Sequence, residues 1–178
     1  MKTTKLMAYQ AEWQAQAVHY QALLSQQLGA NLLKHSHVGS TAMPQLLARP
    51  MIDIALLVED ATAAIAKLAA QPVAGTNQTY AVVLDGQLIH VIITTDADQY
   101  HQLLTFRDYL NAHRTDGRKY TAIRQKAAKD DATYLQTKAA FMASINDKAQ
   151  DWLRTKDLHD HHDRTVRAEL VKIGRAHV

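Results

Sequence analysis

Residues 37–44 read HVGSTAMP and residues 48–54 read ARPMIDI, and these two blocks decide how the remainder of the chain is interpreted. Gly39 follows a predicted strand, and a glycine there lets the backbone approach a ligand without a Cβ atom in the way. The next residues offer backbone N–H groups and the hydroxyls of Ser40 and Thr41, and a concave run of N–H groups favours an anion such as phosphate. By itself, a Gly-Ser-Thr turn is more often only a turn.

Asp53 gives this region a second chemical feature. It lies inside an apolar predicted strand, Met51 to Val58, and a buried lone carboxylate is costly unless it is paired, hydrogen-bonded or bound to a metal. One interpretation is a strand-end Asp that accepts hydrogen bonds from a loop. The other is a metal ligand, because a Gly-Ser turn followed by a strand with an embedded Asp is the order used in metal-dependent nucleotidyl transfer. In that chemistry the turn holds a triphosphate, and the carboxylate holds the Mg²⁺ that neutralises it.

Hydrophobic periodicity predicts the elements on either side of the two blocks. The predicted segments are a helix over Ala11–Leu28 with Gly29 as its stop, a strand over Asn31–Val38, and an Ala-rich helix over Ala61–Ala70 ended by Pro72 and Gly75. Two β-prone runs, residues 79–84 and 87–93, flank the dipeptide Asp85-Gly86. This pattern predicts a hairpin with a type I′ turn, because both turn positions need a positive φ.

From Asp96 onward the pattern becomes helical, with helices predicted over residues 98–112, 116–129 and 132–153. Strands followed by helices predict an α+β domain, or an α/β core with a helical extension. A chain of 178 residues fits one domain, which we assign to residues 1–156, with a polar tail at 157–178. The tail is rich in His and Asp, but metal binding needs ligands fixed in geometry and this stretch shows no core to fix them. The residues concerned are His159, His161 and His162 with Asp157, Asp160 and Asp163.

Composition narrows the possible partners. The chain has no cysteine, which excludes disulfides and thiolate chemistry. Lys and Arg number 20 against 17 Asp and Glu, a net charge of +3, and the basic residues form only short clusters, so a nucleic-acid partner is not expected. Residues 1–10 lack an apolar signal region, and the longest apolar run, Ile52 to Val58, is far too short to span a bilayer. We therefore expect a cytoplasmic protein without a membrane partner.

The two blocks closely resemble the GrpB family, and so does FRDYL at residues 106–110 with His113 a short step later. Further matching residues are Tyr9 and Trp13 near the start, and Tyr120, Tyr134 and Lys138 in the helical half. The resemblance extends over most of the chain, from about Tyr9 to about Trp152. The family is placed in the nucleotidyltransferase superfamily and is sometimes fused to dephospho-coenzyme A kinase. It implies an α+β fold: a nucleotidyltransferase-like mixed sheet with flanking helices and a C-terminal helical extension.

The resemblance also implies roles for particular residues. The implied phosphate- or nucleotide-binding residues are Gly39, Ser40, Thr41, Arg49 and Arg107. Asp53 is the implied ligand for Mg²⁺, and Asp53 with His90 forms the implied catalytic pair. We expect Ser40, Asp53 and His90 to line one cavity, with Arg107 at its rim.

The sequence departs from the superfamily pattern at several positions. Active nucleotidyltransferases typically carry a second carboxylate two residues after the first, on the same face of the strand, and Ala55 stands there. His90 stands where a third carboxylate is expected, and it could bind a metal, act as a general base or hydrogen-bond Asp53. Gln45 replaces the usual Gly, and Arg49 replaces the usual Lys. Arg49 keeps the positive charge and can bind phosphate oxygens bidentately.

Two functions follow from this reasoning. The first is a nucleotidyltransferase-like enzyme that binds a nucleoside triphosphate or related phosphorylated ligand with Mg²⁺ and transfers a nucleotidyl group to an acceptor. The second is a binding module for a nucleotide or phosphate that has kept the pocket and lost the chemistry, and Ala55 favours it. A coenzyme A-linked accessory role is a third reading, which rests only on the fusion seen in the family.

Overall fold

A computed structural model describes residues 5–126 and 136–156, and a five-stranded mixed sheet forms its centre. The strands are β1 (Leu32–Val38), β2 (Asp53–Val58), β3 (Gln71–Pro72), β4 (Thr79–Leu84) and β5 (Gln87–Thr94). Their order across the sheet is β1-β2-β5-β4-β3. The β2–β5 pair is parallel, and the other neighbours are antiparallel. Parallel neighbours need a long crossover connection, and here the chain between β2 and β5 supplies one helix and two strands.

In the part of the chain that the structure describes, five α-helices accompany the sheet. They are α1 (Ala11–Leu28), α2 (Ala61–Leu68), α3 (Ala97–Ala112), α4 (Arg114–Lys126) and a helix over residues 136–156, here α5. The predicted α+β class, with a mixed sheet, flanking helices and a helical extension, is confirmed. Within the described residues, no helix is long and apolar enough to cross a bilayer. The predicted tail at 157–178, with its His cluster, lies outside the described residues, and the assignment of one domain to 1–156 stays a prediction.

The structure corrects the segment after β2. Helix α2 ends at Leu68, because Ala69 adopts a left-handed conformation with φ 49°. Pro72 was predicted to stop this helix, but it lies in the short edge strand β3, where it pairs with Tyr80. A proline cannot donate a backbone hydrogen bond, so an edge strand is the part of a sheet that accommodates it. The hairpin turn is as predicted, with φ values of 50° at Asp85 and 74° at Gly86.

The alternation of side chains along β2 separates two apolar layers. Ile54, Leu56 and Val58 face the larger layer, which α1 and α2 complete. Ala55 and Leu57 face the other side, where Tyr100 of α3 covers them. Asp53, the first residue of the strand, shares that second face by the two-residue period. The sheet therefore carries its polar group at the end of a face that is otherwise covered by α3.

A third apolar cluster holds the helical extension against the sheet domain. It joins the loop residues Met43 and Leu46 to Tyr109 and Leu110 of α3 and to Ile145 of α5. This cluster fixes α5 relative to the segment between β1 and β2, which matters because both contribute to the candidate site.

A buried polar contact reinforces the extension. Tyr109 Oη donates a 2.6 Å hydrogen bond to Asp116 Oδ2, and Lys148 Nζ lies 3.7 Å from Asp116 Oδ1. Burial, with the contact to Asp116, raises the pKa of Tyr109 to about 12. The hydrogen bond from Tyr109 is also the main reason that the pKa of Asp116 is lowered. One hydrogen bond thus joins the start of α4 to α3.

Gly39 occupies the point where β1 passes closest to the start of β2. Its φ is 75°, a conformation that L residues rarely adopt. A Cβ atom at this position would overlap Asp53 Oδ2 and stand 3.0 Å from Asp53 Cγ. Gly39 is therefore required by the Asp53 side chain itself, in addition to any ligand.

Replacing Tyr109 by Phe is expected to lower the free energy of unfolding by about 1–3 kcal/mol, the usual cost of leaving a buried polar partner unsatisfied. Because the pKa of Asp116 is lowered in the folded state, its contribution is present at neutral pH and is lost as pH falls through that lowered pKa. Urea unfolding at neutral and acidic pH measures both effects. Tyr80→Phe is the matched control, and an equal loss in both variants would contradict the role of the Tyr109–Asp116 bond.

Replacing Gly39 by Ala is expected to destabilise the protein through two causes, backbone strain and contact with Asp53. Gly75 has the same φ of 75° with nothing near its added Cβ, so Gly75→Ala reports the cost of a positive φ without a steric contact, about 1–3 kcal/mol. Gly39→Ala should cost more than this control. The excess should shrink in an Asp53→Ala background, and a double-mutant cycle from denaturant unfolding measures that coupling. Additive effects would show that the two residues do not constrain each other.

Candidate functional site

A cavity of about 510 Å³ lies where the β1–β2 segment, β5, α4 and α5 meet; we refer to it as the charged cavity. The residues that line it are Gly39, Ser40, Arg49, Pro50, Met51, Asp53, Thr76, His90, Tyr120, Arg124 and Lys138. Of the residues implied by the family resemblance, Gly39, Ser40, Arg49, Asp53 and His90 are together in this cavity. The expectation that Ser40, Asp53 and His90 line one cavity is met.

Strand pairing brings the carboxylate and the imidazole together. Asp53 and His90 are opposite each other in the parallel β2–β5 register, and Asp53 Oδ1 lies 3.5 Å from His90 Nδ1. Their side chains are 24% and 26% exposed, so the expectation that Asp53 is buried inside a strand is wrong. Asp53 is the first residue of β2, because the apolar residues before it belong to the preceding loop. Both side chains are exposed to the cavity, so each can contact a molecule bound there.

The alternative role for Asp53, as an acceptor for the neighbouring loop, finds no support in the geometry. Within residues 5–126 and 136–156, no N–H or hydroxyl of the loop at 39–41 donates to the Asp53 carboxylate. Its close polar contact is His90. The carboxylate therefore keeps acceptor sites directed to the cavity or to His90, as a ligand-binding group requires.

Three cationic side chains complete the cavity wall, and each comes from a different part of the chain. Arg49 belongs to the loop before β2, Arg124 to α4 and Lys138 to α5. Burial is the main cause that lowers the pKa of Lys138, and the charges of Arg124 and Arg49 lower it further. The three charges are thus close enough to repel one another, and an anion between them would relieve that repulsion.

Two of the cationic residues of the cavity, Lys138 and Arg124, had no site role predicted from the sequence. Arg124 is held in place by two contacts. Its Nη1 donates a 2.9 Å hydrogen bond to the carbonyl of Leu47, and its guanidinium lies 5.4 Å from the centre of the Tyr120 ring. Tyr120 and Arg124 are four residues apart, a spacing that puts both on one face of a helix. The four-residue spacing indicates that Tyr120 and Arg124 share a helix face, but it does not indicate whether that face is directed toward the cavity.

Ala55 lies on the covered part of the sheet face. It is fully buried and packs with Val38, Leu57 and Tyr100. A second carboxylate at this position would lie in an apolar cluster under α3, away from water. In the described residues, no group of three or more His, Asp or Glu side chains is arranged to hold a metal ion, so the protein's own donors here are Asp53 and His90.

Thr41 and Arg107 lie elsewhere, contrary to the sequence-based expectation. Thr41 is fully buried, and its hydroxyl donates to the Met51 carbonyl at 3.1 Å. Arg107 Nη1 donates to the carbonyl of His37 at 2.9 Å, and its Nε donates to Asp108 at 2.8 Å. Both residues line a separate cleft behind the turn, of about 340 Å³. The predicted position of Arg107 at the rim of the cavity is wrong, because its guanidinium is held by the end of β1.

His37 stabilises the turn from the same side. Burial, with the nearby charge of Arg107, lowers the pKa of His37 to about 4, so the ring is neutral at physiological pH. Since the Thr41 hydroxyl gives its proton to Met51, the 2.9 Å contact between His37 Nε2 and Thr41 Oγ1 has His37 as its donor. This chain of hydrogen bonds fixes the turn that carries Gly39 and Ser40. The family motif therefore contains a supporting residue as well as residues of the cavity.

Comparisons with known proteins agree with the fold and its motifs. The family model described as GrpB protein matches residues 3–148. A UPF0157 protein of Deinococcus radiodurans is 34% identical over 126 residues, covering 65% of this chain and 66% of that protein, just under two thirds of its length. A UPF0157 protein of Streptomyces coelicolor is 30% identical, covering 67% of this chain and 68% of that protein.

A solved structure gives the same result. The crystal structure of the conserved protein GrpB from Enterococcus faecalis superposes with a TM-score of 0.67 at 25% identity, covering 84% of this chain and 99% of that one. The two chains thus share one fold over most of their length. By the extent of the family match, the chain belongs to the GrpB family.

Proposed function

We propose that this chain binds a nucleoside triphosphate or a related phosphorylated ligand, together with Mg²⁺, in the charged cavity, and that the bound nucleotide is transferred to an acceptor. One observation carries the proposal: a carboxylate–imidazole pair and three cationic side chains line a single cavity beside the Gly39–Ser40 turn. A polyanion with a divalent cation is complementary to both parts of this lining.

The cationic side favours a ligand with several negative charges. Arg49 and Arg124 can each bind two phosphate oxygens through a planar guanidinium, whereas Lys138 provides a point charge. Burial and then the charges of Arg124 and Arg49 lower the pKa of Lys138, so part of this lowering is repulsion between the cations. Phosphate oxygens among these groups would offset the repulsion.

The acidic side fits a Mg²⁺ ion that shares its ligands with the substrate. Mg²⁺ is commonly bound through one or two carboxylates, with phosphate oxygens and water completing its shell. Asp53 can supply that carboxylate, and a bound Mg²⁺ would neutralise charge on the phosphates. In the described part of the chain, no third His, Asp or Glu side chain joins Asp53 and His90 to make a group that could hold a metal ion.

His90 is suited to the proton transfer that nucleotidyl transfer requires. An acceptor hydroxyl oxygen forms a bond to the α-phosphorus, the bond from that phosphorus to the bridging oxygen breaks, and pyrophosphate leaves. The hydroxyl proton passes to a ring nitrogen of His90, whose orientation the Asp53 carboxylate would hold across the 3.5 Å contact. Arg49 and Arg124 would stabilise charge on the departing pyrophosphate.

A binding module without turnover is the second candidate. Ala55 favours it, because the position of a second carboxylate is closed by the packing of Val38 and Tyr100. Calorimetric titration with nucleoside triphosphates, diphosphates and inorganic tripolyphosphate, with and without Mg²⁺, separates the two candidates when product formation is followed in parallel. Turnover supports the enzyme, tight binding without turnover supports the module, and an absence of binding contradicts both.

Asp53→Asn is expected to abolish Mg²⁺-dependent ligand binding while leaving the fold intact, because the change removes a charge and keeps the shape. The free energy of unfolding should be unchanged or slightly higher, because the substitution removes a charge that is partly shielded from water in the folded protein. Thermal melts with and without Mg²⁺ and nucleotide measure both effects. A scaffold role for Asp53 predicts instead a loss of about 1–3 kcal/mol in the free protein.

Asp85→Asn is the control for that experiment. It makes the same chemical change in the hairpin turn, where Asn also accepts a positive φ. It should leave the ligand-induced rise in melting temperature as in the wild type. Loss of that rise in both variants would point to overall charge rather than to a site at Asp53.

Lys138→Gln is expected to weaken tripolyphosphate binding by about tenfold or more, the effect of losing one charge-assisted contact. In the wild type, affinity should also fall as pH rises above neutrality, because the lowered pKa of Lys138 brings its deprotonation closer to that range. The variant should lose most of this pH dependence. Lys67→Gln on α2 is the charge-matched control, and equal weakening in both variants would argue against a local contact.

A further inference from the structure

A second cleft, of about 300 Å³, opens between the sheet, α3 and α5; we refer to it as the amide cleft. The residues that line it are Asn77, Gln78, Thr79, Ile92, Thr94, Gln99, Gln102, Leu103, Phe106, Met142 and Asn146. None of these side chains is ionisable, and five of them are amides. The charged cavity, by contrast, is lined by Asp53, His90 and three cationic side chains.

The amide cleft has an apolar floor with a polar rim. Ile92 and Leu103 are half-buried and pack against the cluster under α3, and Phe106 and Met142 form the side walls. Amides from α3, α5 and the loop before β4 surround this floor. Such a lining favours a flat ring, whose face packs on apolar atoms while its edge forms hydrogen bonds.

One rim amide and the loop that carries two others are held by hydrogen bonds within the protein. Gln99 Oε1 accepts a 2.9 Å hydrogen bond from the Thr94 hydroxyl, which leaves the two N–H donors of that amide available. The main-chain carbonyl of Gln78 accepts from the N–H of Ile93 at 2.9 Å, which holds the loop on β5. Part of the rim is therefore in place before a ligand arrives.

The amide cleft and the charged cavity are neighbours. Thr76 lines the charged cavity, and the next residues of the same loop, Asn77 to Thr79, line the amide cleft. Phe106 of the cleft also meets Tyr120 of the cavity in an edge-to-face contact, with ring centres 6.0 Å apart. One loop and one aromatic pair thus contribute to both spaces, which lie side by side.

We infer that the amide cleft binds the purine or pyrimidine base of the ligand, an inference that rests on the proposed function because the phosphates of the same ligand would occupy the charged cavity. Asn and Gln side chains match base edges, since each offers a donor and an acceptor side by side. An uncharged lining suits a base and disfavours a phosphate or carboxylate. A volume of about 300 Å³, at the lower end for ligand pockets, fits one ring system.

The first test compares ATP, GTP, CTP and UTP with inorganic tripolyphosphate in calorimetric titrations with Mg²⁺. At least one nucleotide is expected to bind about tenfold or more tightly than tripolyphosphate, the discrimination that one good amide–base contact provides. In the Gln102→Leu, Asn146→Leu double variant this advantage should disappear while tripolyphosphate binds as before. Gln27→Leu, an exposed amide on α1, is the control.

The result separates the two proposals. Equal affinity of all nucleotides and tripolyphosphate overturns the base site and leaves the phosphate site standing. An absence of binding by every one of these compounds overturns the proposed function. If none of these compounds binds, or if the double variant fails to fold, nucleosides are titrated into isotope-labelled wild-type protein. Shifts in the side-chain amide signals of Gln102 and Asn146 support the base site, and unchanged signals at millimolar nucleoside overturn it.

Discussion

The parallel pairing of β2 with β5 is the constraint on which the candidate site depends. It puts Asp53 opposite His90 although 36 residues lie between them along the chain. Parallel strands cannot be joined by a tight turn, so α2 and the β4–β5 hairpin lie between them. The hairpin returns the chain antiparallel to β4, which delivers β5 to the centre of the sheet in the direction that the register requires.

The charged side chains of the site do not all have surroundings that favour their charged form. The close polar contact of Asp53 is with His90 rather than with one of the three cations, whereas burial and the charges of two arginines lower the pKa of Lys138. A group with a shifted pKa, such as Lys138, is found at functional sites more often than elsewhere. By contrast, Tyr109 and Asp116, whose pKa values are also shifted, lie in the packed extension, where their hydrogen bond stabilises the helices. The difference is exposure to a cavity.

The two sides of the Gly39–Ser40 turn have separate tasks. On the cavity side, Gly39 admits the Asp53 carboxylate into close contact, which a Cβ atom would prevent. On the other side, His37 and Thr41 anchor the turn to the Met51 carbonyl, and Arg107 holds the end of β1. The polar residues of this motif thus include a scaffold for the turn as well as groups available to a ligand.

The sequence by itself determined the local elements and the residues at the centre of the site. Periodicity predicted α1, Asp85-Gly86 predicted the hairpin, and the two motif blocks identified Gly39, Ser40 and Asp53, because each of these signals depends on neighbours within a few residues. Tertiary structure decided what lies around them. Arg124 lines the cavity because of the way α4 packs. Arg107 lies outside the cavity because its guanidinium donates to the carbonyl of His37. The direction in which a long side chain turns depends on contacts between distant elements, and sequence spacing carries no information about those contacts.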